Sequence, residues 1–311
     1  MNMNTQSHAV SGSAVEAQKV AFLKVPALRP LYWSIRREFW EHRWLYVAPI
    51  VIAGVALLAF IFGATAGIWI KRLSLNHPNH LADPQGPYDI VSGLMMGVVI
   101  LGGVFYSAEA LQGERRDRSI LFWKAMPVSD TTTVLAKASI PLIFLPLIAI
   151  GVAIATHILM LLVSSIILTA SGQGAGTMWA HLSVFRMWML MSYHILTNHA
   201  LWPFPIYCYL LLVSAWSRRA PLLWAALPIV AISGVEKLVT RTSHFLTMLG
   251  SRLIGDAPTI VHSHADMFPT NPMTHLTMGT FLASSGLWLG LLVSAIFLIA
   301  AIRVRRYQGP N

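Results

Sequence analysis

The sequence predicts an all-α, polytopic membrane protein. Of its 311 residues 56% are hydrophobic and only 11% are charged, against about 25% charged in soluble domains. Its mean hydropathy is +0.62, and several apolar runs exceed the roughly 18–20 residues that cross a bilayer as a helix. The net charge of +10 does not point to nucleic acid, because the basic residues sit at the ends of apolar runs, where they track membrane orientation. No nucleic-acid partner is expected. The single cysteine, Cys208, excludes an intrachain disulfide framework and a cysteine metal cluster.

Residues 1–30 are polar and rich in small side chains and read as a disordered cytoplasmic tail, not a signal peptide. From 31 to 43 the sequence LYWSIRREFWEHR interleaves aromatics and arginines at three- and four-residue steps: Trp33, Arg36, Arg37, Glu38 and Trp40. That pattern predicts an interfacial helix in the headgroup region. Six spans follow, at about 44–70, 88–110, 134–169, 199–216, 220–235 and 281–302. Pro141 and Pro146 predict a kink in the third, and Pro203 and Pro205 blur the start of the fourth. The stretch 179–194 reads as an amphipathic piece at the membrane face. A long connection, 236–280, precedes the last span, and 307–311 form a short tail. Lysine and arginine concentrate in the N-terminal segment, in 113–130, at Arg218–Arg219 and at Arg303–Arg306. The positive-inside rule therefore puts both termini and the 113–130 block in the cytoplasm.

That block, GERRDRSILFWKAMPVSD, sets charged residues against a run of bulky apolar ones. Glu114 stands four residues before Arg118, an order that supports a helical turn, and Ser129 and Asp130 are residue types that cap a following helix. Mixed signs and a bulky apolar anchor suit a protein groove better than an anionic bilayer.

No phosphate-cradling GxxxxGK[ST] loop occurs, nor HExxH, GxSxG or CxxC, so direct use of ATP by this chain is excluded. Ionisable residues inside the spans are scarce. Glu109 and Glu236 lie at span ends, where local ion pairs with Arg116 and Lys237 are expected, and His157, His194 and His199 are expected as hydrogen-bonded packing residues. In the outer connection His262, His264 and Asp266 alternate, which puts them on one face of an extended segment. No helical histidine pair fixes a geometry, so no metal is expected there. Bulky, adaptable side chains on the second and fifth spans, Met95, Met96, Val99, Phe105, Tyr106, Leu223, Trp224 and Leu227, are the candidate walls of a substrate path.

Four segments, RREFWEHRWLYVAP, ERRDRSILFWKAMPVSD, WSRRAPLLWAALP and EKLVTRTSHF, resemble the type-2 ATP-binding-cassette permeases, the membrane subunits of bacterial exporters. The resemblance runs from about Leu31 to Arg306. It implies a non-enzymatic subunit of the bacterial inner membrane that pairs with a second permease copy or paralogue. Two ABC ATPase subunits would bind the ATP and magnesium, and this chain would carry no cofactor. The segment between spans two and three would be the coupling helix, with Glu114, Arg115, Arg116, Asp117 and Arg118 as its charged start. Ile120, Leu121, Phe122, Trp123 and Met126 would be its contact face on the ATPase. Transport by alternating access is what the resemblance implies, and the apolar candidate walls point to a hydrophobic or amphipathic substrate. Two other expectations stand beside it: a membrane-anchored metal-dependent hydrolase built on His262, His264 and Asp266, and a non-transporting scaffold or sensor.

Overall fold

The computed structural model describes residues 28–65, 86–116, 128–170, 184–254 and 278–307, and among these there are helices and short turns but no strand. Twelve α-helical segments follow in order: α1 Leu28–Glu41, α2 Trp44–Thr65, α3 Gly86–Glu109, α4 Gln112–Arg116, α5 Asp130–Ser139, α6 Leu145–Ala170, α7 Val184–His194, α8 Phe204–Trp216, α9 Pro221–Thr240, α10 His244–Ile254, α11 Met278–Ala283 and α12 Ser285–Tyr307. Wider, π-helical turns at Ile140–Phe144 and Ile195–Leu201 join α5 to α6 and follow α7. Among the described residues five helices are long and apolar enough to cross a membrane: 44–65, 86–116, 130–170, 221–240 and 285–307.

Local chemistry sets the breaks. Ser129 is the N-cap of α5, its hydroxyl accepting from the Thr132 N–H, as its residue type predicts. Pro141 lies inside the first π-helical turn; with no N–H to give, it forfeits a ladder bond, and the wider turn absorbs the defect where the sequence predicts a kink. The third apolar run is thus one helix of 41 residues, about 60 Å long and twice the hydrocarbon thickness. Its polar start, DTTTVLAKAS, packs against α1 and α12. The remaining 26 residues of α6 suffice for a crossing.

The region expected as the fourth span differs most. Helix begins at Val184 and breaks at Trp202–Pro203, leaving α8 with only 13 residues, about 20 Å. Prolines 203 and 205 supply no N–H where the new helix starts, so the break falls where the ladder is already open. Despite its length α8 is the centre of the fold, packed on α3, α9 and α12, with Tyr207, Cys208 and Leu211 fully buried.

The fifth span starts where Ala220 takes a left-handed conformation before Pro221 and ends at a left-handed Arg241. It therefore reaches Thr240, past the expected 235. Glu236 does not pair simply with Lys237. Its carboxylate caps α10, accepting from the backbone N–H of His244 (2.7 Å) and Phe245 (3.0 Å) and from the Thr242 hydroxyl. Part of the expected outer loop is thus a helical hairpin. Arg252 of α10 docks it on the bundle, donating to the Gly286 carbonyl and stacking 4.6 Å over the Trp202 ring. Gly290 leaves room for that guanidinium, since a Cβ there would lie 2.4 Å from Arg252 Nη1.

Candidate functional site

The chemistry-bearing residues converge at the end of the bundle where α1 lies against α5. Glu38 is buried on the inner face of α1; its Oε1 accepts from Lys137 Nζ of α5 at 2.7 Å and its Oε2 from the Tyr106 hydroxyl of α3 at 2.6 Å. Glu114 of α4 is the hub of the cluster. Its carboxylate meets Arg37 at 2.9 Å, Lys137 at 3.2 Å and Arg305 of α12. Arg305 in turn reaches Asp130 at 3.0 Å, and Arg37 forks onto Glu41. Arg37, Lys137 and Arg305 are thereby balanced by Glu38, Glu114 and Asp130. Each of these carboxylates accepts charge-assisted bonds, the condition under which burial of charge is tolerable. The cluster is a fastener: it ties α1, α3, α4, α5 and α12 into one body.

A second junction sits beside it. Arg115 Nη2 donates to the carbonyls of Ser214 and Ser217, both at 2.6 Å, and so caps the C-terminus of α8. In return the Ser214 hydroxyl accepts the N–H groups of Leu111 and Gln112, both at 3.0 Å, exposed by the break between α3 and α4. Orphan groups of two helix ends satisfy each other.

Among the residues expected to start the coupling segment, Glu114 and Arg115 thus face inward, 5% and 4% exposed, and Arg116 faces out. Among the described residues Glu114 meets three cations on other helices, Arg37, Lys137 and Arg305. Asp117, Arg118, Ile120, Leu121, Phe122, Trp123 and Met126 lie outside the described residues, as do His262, His264 and Asp266. Helix α1, expected at the membrane interface, has two unlike sides. Trp33, Arg36 and Trp40 face outward, Arg37 is half-buried, and Glu38 belongs to the ion cluster.

The candidate substrate-path residues do not line one surface in this chain. Met95, Met96 and Val99 pack in a core with Ala53, Ala149, Ala153, Met191 and Ile195. Tyr106 serves the ion cluster, while Phe105, Leu223, Trp224 and Leu227 are exposed. The histidines behave as packing residues: His157 shares a hydrogen bond with the Tyr88 carbonyl (3.1 Å) and His194 with that of Leu190 (2.9 Å). Among the described residues no group of three or more His, Cys, Asp or Glu side chains could hold a metal ion.

In the sequence Arg305 reads as an orientation signal, and Lys137 has no local partner. The available signal was local: Lys137 stands alone within the apolar VLAKASIPLIF, and a lone cation there demands a partner.

His42, in the turn between α1 and α2, lies 3.8 Å from Glu38. Burial pushes its imidazole below the ordinary 6.5, against the pull of Glu38 and with a push from Lys137. A depressed histidine binds fewer protons folded than unfolded. Its contribution to stability is therefore full above about pH 6.5 and is lost as pH falls through the lower folded value. His42→Gln is expected to flatten the loss of detergent-solubilised thermal stability below about pH 6.5. Equal slopes in variant and wild type would contradict this assignment.

No known protein family, curated protein or solved structure matches the chain.

Proposed function

We propose that this chain is the permease subunit of an ATP-driven exporter of the type-2 ATP-binding-cassette kind. It would move a hydrophobic or amphipathic substrate across the bacterial inner membrane. The observation that carries the reading is the Glu114 hub. The short helix α4, which ends at Arg116, is locked to α1, α5 and α12 by buried ion pairs and to α8 by Arg115. Force applied to 117–127 by another chain would reach four helices at once, with little lost to bending. Rigid transmission into a bundle with two packings is what an externally driven transporter requires.

In this reading the broken segment 184–216 supplies the sixth crossing, and the α1 end of the bundle, with both termini, is cytoplasmic. Two ATPase subunits dock at 117–127. The outward face of α9, where Leu223 and Leu227 are 72% and 59% exposed, meets a second permease. The test is co-purification with an ATPase subunit from the native membrane and transport-linked ATP hydrolysis in proteoliposomes. Phe122→Glu or Trp123→Glu is expected to abolish both the association and the stimulated hydrolysis while leaving the fold intact. An unaltered association, or a wild-type protein that captures no ATPase, would sink the proposal.

A further inference from the structure

The ion cluster uses only one side of α1, and the other side carries a second, unbalanced set of charges. Arg29, Arg36 and Arg43 are all exposed and stand seven residues apart. Seven residues are close to two helical turns, so Arg29 and Arg36 share one stripe of α1, and Arg43 continues it into the turn before α2. Trp33 and Trp40, 59% and 69% exposed, lie between them. The Arg36 guanidinium is held by both rings, 5.2 Å from the Trp33 centroid and 5.6 Å from that of Trp40.

The charge balance sets this face apart from everything around it. Glu38 is buried on the opposite side, and Glu41 is taken up by Arg37 at 2.7 Å. Among the described residues no carboxylate pairs with Arg29, Arg36 or Arg43. The stripe therefore presents three uncompensated positive charges. It leads straight into α2, whose exposed side chains Val47, Ile50 and Val51 are those of a lipid-facing helix. Indoles and arginines at the edge of an apolar face occupy the headgroup level of a bilayer. Two flanking rings fix the plane of Arg36, and a guanidinium so held keeps its N–H edge for oxyanions, which it binds in a fork.

We propose that Arg29, Arg36 and Arg43, with Trp33 and Trp40, form a binding site for anionic phospholipid headgroups. The ligand class is the phosphatidylglycerol type: a phosphodiester with net negative charge, attached to acyl chains that lie along α2. The site rests on the geometry of α1, the turn after it and α2, and does not depend on the transport reading. Zwitterionic lipids offer the same phosphate with a compensating cation and bind the stripe less well.

The test is native mass spectrometry of the full chain in detergent with equimolar phosphatidylglycerol and phosphatidylcholine. Wild type is expected to retain phosphatidylglycerol preferentially. Each Arg→Gln change at 29, 36 or 43 is expected to reduce that retention about fivefold, the usual worth of one basic residue at an anionic surface. Arg36→Lys, which keeps the charge but loses the planar fork held between the two rings, is expected to lose part of the preference and less than Arg36→Gln. Equal retention of the two lipids by wild type, or an unchanged preference in the triple variant R29Q/R36Q/R43Q, would overturn the assignment. So would competition by millimolar glycerol phosphate, which would mark a site for a free phosphate. A triple variant that keeps its lipid preference but loses an ATPase subunit would reassign the stripe to a protein partner.

Discussion

Replacing Lys137 with methionine is expected to cost about 3–5 kcal/mol of stability, the usual penalty for leaving a buried charge without its partner. Lys137 Nζ lies 2.7 Å from Glu38 and 3.2 Å from Glu114, with 1% of its side chain exposed. Without it Glu114 still has Arg37 and Arg305, but Glu38 is left with the Tyr106 hydroxyl and His42. The larger share of the cost therefore falls on Glu38. Adding Glu38→Gln to Lys137→Met removes the orphaned charge while keeping an acceptor for Tyr106. The double variant is expected to be more stable than the two single costs predict, with a coupling in the range of about 0.5–3 kcal/mol. Denaturant unfolding in detergent micelles measures both. A Lys137→Met protein within about 0.5 kcal/mol of wild type, the scatter of ordinary surface changes, would show that the cluster does not fasten the bundle.

That experiment also separates what the sequence can say from what it cannot. The long spans are legible because a bilayer demands a continuous apolar run, and α2, α3, α6 and α12 supply one. Helix α1 is legible because Trp33, Arg36 and Trp40 repeat at helical steps. Segment 184–216 is not, because His194, Thr197, Asn198 and His199 dilute its hydropathy and Pro203 divides it. Its burial on α3 and α6, and not its composition, makes those residues internal. Glu114 illustrates the same limit at the site. Its partners Lys137 and Arg305 are 23 and 191 positions away along the chain and no local period announces them. Pairing across helices is a property of the packed bundle.

Packing at the centre of the bundle supports a second large effect. Gly103 of α3 faces Tyr207 of α8, and a Cβ on Gly103 would lie 2.7 Å from Tyr207 Cζ and 3.0 Å from its hydroxyl oxygen. The ring cannot easily step aside: Tyr207 is 0% exposed, and its hydroxyl donates to the His199 carbonyl at 3.0 Å. Gly103→Ala therefore forces α3 and α8 apart or breaks that bond, at about 1–3 kcal/mol, and a larger side chain costs more. Gly97, two turns earlier on the same helix, has nothing within 4 Å of its notional Cβ. Gly97→Ala meets no such obstacle and is expected to stabilise by about 0.5–1 kcal/mol, because it removes only the entropic cost of a mid-helix glycine. Opposite signs at two glycines of one helix are a sharper test than either value alone. Tyr207→Leu on the Gly103→Ala background removes the clashing ring and is expected to recover part of the loss. If Gly103→Ala is neutral or stabilising in the same unfolding assay, α3 and α8 do not approach as closely as described, and α8 loses its place as the post on which the other helices stand.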